Sequence, residues 1–277
     1  VKERTNGKII VEVYHSKQLG EEKKVLEQVQ LGGIDIARVS VAPVSAFVRD
    51  LDALQLPYLY RDSKHMWKVL DGPIGQEILK KLEPANFVGL GWFEAGSRNF
   101  YTKRQVKTMT DLKGMKIRVQ PSEVQIQAMN LMGGIASPMA YGEVYMGIQQ
   151  KVVDGAENAP VALVSSRHYE VAKVYSLTEQ FWLICTVFAG KKWWDSLPAD
   201  VQAQISAAAD DAERYHYDIY VAEEKQAINV LKDKGVQVIT DVDKAAFEKA
   251  VQPVYDSFTK RYGKDVLEQV RAVVKAR

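Results

Sequence analysis

Between Pro198 and Lys234 no glycine and no further proline interrupts the chain, and alanine, glutamate, glutamine and aspartate dominate. Such a run predicts one α-helix, about 50 Å long at 1.5 Å per residue. That is longer than a small domain is wide. A helix of more than about 25 residues suggests a coiled coil, but Val201, Ile205, Ala208, Ala212, Tyr215, Ile219, Ala222, Ala227 and Val230 keep no strict heptad. A brace laid across two domains suits the pattern better. A chain of 277 residues is comfortable for two domains and can bury a sizeable core.

The rest of the chain alternates between the two periods of regular structure. Residues 8–14 (KIIVEVY) predict a strand, QLGEEKKVLEQVQLGG an amphipathic helix with Val25, Leu26, Val29 and Leu31 on one face, and IDIARVSV a second strand. The two strands of this unit are expected to be parallel. Ser40 ends the second, where α/β folds place ligand contacts, although ending a strand is reason enough for a serine. Helices over DSKHMWKVLDG and GPIGQEILKKLE lead into the strand NFVGLGWFE. Its GLGWFEAG lacks the third glycine and the following helix of a dinucleotide fingerprint. After Gly96 a new set begins with SRNFYT, MKIRVQ, the helix SEVQIQAMNLMGG, the extended IASPM, the helix YGEVYMGIQQ and the returning KVVDGAEN. The switch near residues 94–97 marks a first crossing between domains. YSLTEQFWLICTVFAG reads as one extended strand long enough to belong to both. Beyond the brace come a strand at GVQVIT and helices over VDKAAFEKAVQPVYDSFTKRYG and KDVLEQVRAVVKA.

Charge is nearly balanced, with 37 basic and 35 acidic residues, and no basic stripe points to nucleic acid. The positive charge of interest is local. Arg98 has Phe100 and Tyr101 just after it, and Arg118 stands between Ile117 and Val119. A guanidinium in apolar surroundings is costly to desolvate unless something anionic meets it, and its planar fork suits a carboxylate. Asn158, beside Glu157 in a turn closed by Pro160, adds an amide with donors and acceptors. These residues are expected to converge on a small organic anion. The plainer reading makes each arginine a sheet-edge residue or the partner of Glu94, Glu123 or Glu157. The four histidines lie at no metal-ligand spacing, and neither a nucleophile elbow nor a phosphate loop occurs. The lone Cys185 sits in an apolar run. No cofactor, no metal and no enzymatic activity are expected.

GSRNFYTK, DLKGMKIRVQ, PMAYGEVYMGIQQKVVDGAEN and HYEVAKVYSLTE, with SKQLGEEKKVLEQVQLGGIDIARVS and DLDALQLPYLYRD before them, resemble the substrate-binding subunits of tripartite ATP-independent periplasmic (TRAP) transporters, the DctP family. The likeness covers nearly the whole chain. It implies an α/β, two-lobed periplasmic binding protein-like fold with crossing strands and a long bracing helix. Residues 1–95 with about 184–223 would form lobe I, and 96–183 with about 224–277 lobe II, the ligand cleft lying between them. It also implies a monomer in the periplasm that passes an organic acid to membrane permease subunits. The family begins with a strand and a helix before VKERTNGK, so the start of the fold and any signal peptide are expected to precede this chain.

By the same likeness Arg118 takes the ligand carboxylate bidentately, Arg98 assists, and Asn158 contacts the same end. Tyr141, Glu143 and Tyr145 line the cleft, and Ser40 and Glu22 reach the distal end. The S-R-N-F-Y form with GEVY and DGAEN looks most like members that bind hexuronates such as galacturonate and glucuronate. Gln180 stands where histidine is common and Glu157-Asn158-Ala159-Pro160 where a second asparagine is common, which touches the polyol end. A dicarboxylate or keto acid is the alternative, and a dicarboxylate would need a third cation at its far end.

Overall fold

The computed structural model describes residues 1–275. Its first regular element is helix α1 (Glu22–Leu31), stopped by Gly32 in the left-handed conformation at φ 81°. Strand β1 (Ile36–Ser40) and the short α2 (Val41–Val44) follow. Helix α3 (Ser63–Leu70) starts where Asp62 accepts the His65 N–H, and α4 (Pro73–Lys80) starts on Pro73, whose missing N–H costs nothing there. Strand β2 (Phe87–Thr102) then runs for 16 residues. The middle of the chain contributes α5 (Met109–Leu112), β3 (Lys116–Val119), α6 (Glu123–Leu131), β4 (Ile135–Pro138), α7 (Val144–Gln149), β5 (Gly155–Asn158) and α8 (Pro160–Ser165). Strand β6 (Val174–Gly190), 17 residues, leads through α9 (Lys191–Asp195) into α10 (Ala199–Asp233), 35 residues. Strand β7 (Gln237–Ile239) and helices α11 (Lys244–Ala250), α12 (Gln252–Tyr262) and α13 (Asp265–Lys275) close the described chain. The end of the predicted last helix lies outside the described residues.

Two long antiparallel strands, β2 and β6, form the spine. One half of their ladder pairs Phe87–Glu94 with Ile184–Gly190 and carries β1 on its edge. The other half pairs Ser97–Thr102 with Val174–Trp182. That half carries β5, β3 and β4 on one side and β7 on the other. The register slips between Glu94 and Ser97, where Gly96 takes φ +87°, in the stretch where the periodicity of the sequence changes. It is a bulge within one continuous strand, not a boundary between two strands as expected.

The brace is present almost residue for residue. It buries only a narrow stripe, with Val201, Ile205, Ala227 and Leu231 inward but Tyr215 and Ile219 exposed. Its side chains hold β2 through the irregular stretch. Glu213 accepts the Trp92 N–H, His216 Nε2 lies within hydrogen-bond reach of the Glu94 carbonyl, and Glu224 accepts the Ser97 N–H. A bulge leaves backbone groups without ladder partners, and the helix supplies them.

Three expectations fail near the start of the chain. Residues 8–14 form no strand, and Ile10, Val11, Val13 and Tyr14 are exposed. Alternating apolar residues make a strand only against a neighbour, and β1, their expected partner, is hydrogen-bonded to β6 alone. The predicted parallel strand–helix–strand unit is therefore not formed. Leu31, assigned to the buried face of α1, is 80% exposed.

Candidate functional site

Strand β3 lies between β4 and β5, parallel to both, with Arg118 opposite Ser137 on one side and Ala156 on the other. A central strand leaves a side chain no route to water along the sheet edge, and Arg118 is only 2% exposed. Its Nε donates to the Met139 carbonyl at 2.9 Å, and its Nη1 is buried with no partner among the described residues. Burial pulls its pKa below the ordinary value, and the positive charge of Arg98 acts in the same direction. No salt bridge reaches it among the described residues. The fork is held in place and left open.

Arg98 behaves otherwise. From β2 it directs Nε to Glu157 Oε2, and Nη2 to Glu157 Oε1 at 2.7 Å and to the Glu157 carbonyl at 2.8 Å. Both side chains are essentially inaccessible. Burial alone would lower the pKa of Arg98, but the Glu157 charge and hydrogen bonds carry it above the ordinary value. The sequence reading sets two arginines on one ligand carboxylate; in the structure, Nε and Nη2 of Arg98 meet a carboxylate of their own chain. Register explains it, because β2 and β5 set Phe100 opposite Glu157 and bring the arginine two residues earlier onto the same face.

Asn158 follows on β5 at 4% exposure. Its Oδ1 accepts the Ala159 N–H at 2.8 Å, which orients the amide and leaves Nδ2 without a hydrogen bond among the described residues. Tyr141 donates from its hydroxyl to Ser166 Oγ at 2.8 Å, and its ring centroid lies 5.7 Å from Arg118 Cζ. His168 packs against the same ring at 5.2 Å and pairs through Nδ1 with the Tyr101 hydroxyl at 2.9 Å. Burial, then the charges of Arg118 and Lys17, push its pKa down to about 4, so a neutral imidazole backs the pocket. In the sequence His168 shows only the absence of metal-ligand spacing, and no local pattern marks it as a pocket residue.

Of the remaining predicted residues, Glu22 and Ser40 meet: Ser40 donates to Glu22 Oε1 from its N–H at 2.8 Å and its hydroxyl at 2.7 Å. Gln180 is fully buried, with Oε1 accepting from Thr178 and Nε2 unpartnered. Glu143 is exposed and accepts the Ala140 N–H, which caps a turn. The Tyr145 hydroxyl donates to Glu170 at 2.9 Å. Glu143 and the Tyr145 hydroxyl are thereby engaged within the chain. Elsewhere, a groove of about 750 Å³ between α10 and the α3–α4 side contains none of the predicted residues. Five carboxylates, Asp71 and Glu213 among them, outnumber Lys80 and Arg214 on its walls, the wrong sign for an acid.

A buried guanidinium with an unmet donor, on a strand flanked by β4 and β5, is the arrangement expected of an acid-binding receptor. Residues 1–261 match the family described as DctP, bacterial extracellular solute-binding protein, family 7. The chain belongs to that family. A TRAP periplasmic solute-binding protein from Xanthobacter autotrophicus Py2, solved with bound β-D-galacturonate, is 39% identical with a TM-score of 0.94, covering 98% of this chain and 91% of that one. One from Citrobacter koseri, solved with bound D-glucuronate, is 38% identical with a TM-score of 0.94, covering 100% and 91%. The C4-dicarboxylate-binding periplasmic protein DctP of Rhodobacter capsulatus is 33% identical over 272 residues, 97% of this chain and 82% of that protein. The two-lobed fold with crossing strands and a bracing helix is the family's. No helix among the described residues is long and apolar enough to cross a membrane.

Proposed function

We propose that this protein is a periplasmic receptor that captures a hexuronate or closely related sugar acid between its lobes and presents it to the membrane subunits of a TRAP transporter, without chemical turnover. The observation that carries the reading is Arg118, 2% exposed and with a buried nitrogen lacking any partner. A ligand carboxylate supplies the missing acceptor, forming charge-assisted bonds worth about 1.5–3 kcal/mol each. A micromolar complex needs only about 8 kcal/mol, so one such fork carries a large share of it. Asn158 Nδ2 serves the same end. Glu22 and Ser40, already joined, offer acceptors to sugar hydroxyls at the far end, and the unpartnered Gln180 Nε2 is a further donor. The lobes are taken as residues 1–95 with about 184–223 and 96–183 with about 224–277, α13 reaching back to pack on α3 and α4.

The proposed far end also weighs against the alternative. A C4-dicarboxylate needs a cation there, whereas the residue assigned to that end, Glu22, is a carboxylate. Thermal melting with galacturonate, glucuronate, malate and pyruvate separates the readings. Stabilisation by the uronates alone is the expected result, and stabilisation by malate alone would overturn the assignment.

A further inference from the structure

With Arg98 matched to Glu157, a second positive charge approaches the Arg118 pocket from the opposite wall. Lys17 sits in the turn before α1, and both it and Ser16 hold left-handed backbone angles, φ 63° and 51°. Two consecutive side chains in that region make a costly turn that nothing in their own chemistry requires. The turn aims Lys17 outward: its Nζ lies 3.1 Å from Glu21 Oε1 and 4.8 Å from the centroid of Tyr141, the ring that Arg118 also faces. Tyr141 and Gly142 are more than 120 positions away in the sequence and follow β4, in the half of the sheet beyond the bulge, whereas α1, which Lys17 precedes, packs on β1.

Gly142 explains how the contact fits. A Cβ there would stand 2.3 Å from Glu21 Oε1 and 2.8 Å from Lys17 Nζ. Gly142 does not need to be glycine for its own backbone, since its φ is not left-handed, and it is exposed. What its missing side chain provides is a seat for the Lys17–Glu21 pair. The pair is about a third exposed, at 36% and 39%, so its worth to the fold is small. A weak surface contact between distant parts of the chain suits a fastener that must open again.

We propose that Lys17 and Glu21 form a latch that lands on the Tyr141–Gly142 turn when the lobes close, placing a second positive charge over the ring that backs Arg118. Its role in retaining ligand rests on the receptor reading above; the landing itself does not. Lys17→Ala, Glu21→Ala and Gly142→Ala test it. Each displaces only the flexible ends of side chains, so the fold survives and unliganded melting is unchanged. Stopped-flow binding of galacturonate is expected to show release about five- to tenfold faster in each variant, with association little altered, because the latch holds the closed arrangement and not the open one that admits ligand. The double variant Lys17→Ala/Gly142→Ala is expected to be no worse than either alone.

A second measurement needs no ligand. Spin labels on cysteines introduced at Glu27 and Lys151, both exposed, report the separation of the two sides, and the buried Cys185 does not compete for label. The latch variants are expected to shift that distribution toward longer distances. Wild-type release rates and wild-type distances in all three single variants would overturn the latch. If the wild-type protein ignores every sugar acid offered, the hexuronate reading fails, and the latch stands or falls on the distances alone.

Discussion

Arg118 and Arg98 look alike in sequence and do opposite things in the fold. Arg118→Ala is expected to abolish the ligand-induced rise in melting temperature while leaving the unliganded protein folded, and Arg118→Lys to restore little, because an ammonium cannot present two parallel donors. Persistent stabilisation in Arg118→Ala would remove the arginine from the pocket. Arg98→Ala belongs to a different class. It leaves Glu157 buried and unpaired, which costs about 3–5 kcal/mol, so urea unfolding of the unliganded protein is where its effect appears. His168 adds a dependence on pH. The unfolded chain's imidazole takes up a proton near 6.5, whereas the folded one resists until about 4. Its contribution is therefore whole above 6.5 and drains away as pH falls toward 4, on the order of 3 kcal/mol in total. His168→Gln is expected to flatten the stability profile across that window, and an unchanged slope would assign the acid sensitivity elsewhere.

At the scale of elements, α10 fastens the bulge in β2. Gly96 is pinned between them, since a Cβ there would meet Glu224 Oε1 at 2.7 Å and the Tyr220 hydroxyl at 2.9 Å with φ already at +87°. Gly96→Ala is expected to cost about 1–3 kcal/mol in chemical denaturation. Glu213 titrates in the physiological range: burial pushes it up to about 7, the Trp92 N–H opposes this, and Asp71 adds to the rise. A carboxyl raised in the folded state loses its contribution as pH climbs from 4.5 through about 7. Glu213→Gln keeps an acceptor for Trp92 without the charge. It is expected to melt about 1–3 °C higher than the parent at pH 8 and no higher at pH 5. Equal melting at both values would mean that the carboxylate is relaxed by solvent.

For the whole molecule, the proposed receptor shifts between open and closed arrangements, and ligand adds stability only by preferring the closed one. Small-angle scattering is expected to show a smaller radius of gyration on adding a bound uronate, with Arg118→Ala unresponsive. A radius unchanged at saturating ligand would point to a cleft already shut.

The sequence alone determined the elements whose cause is local. A glycine-free run long enough to exceed a domain could be little but a brace, and Asp62, Pro73 and Gly32 punctuate helices through their own backbone chemistry. It also marked two guanidiniums set in apolar strands, leaving open whether each is buried or at a sheet edge. Which of them stays open was decided by register: β5 brings Glu157 to Arg98, while β3 leaves Arg118 with a carbonyl and an unmet nitrogen. Tertiary structure likewise decided that residues 8–14 remain irregular, that Glu22 meets Ser40, and that Lys17 reaches Tyr141. Local propensity can be read from neighbours in the chain. The partner of a charge depends on which strands lie side by side, and that is a property of the folded whole.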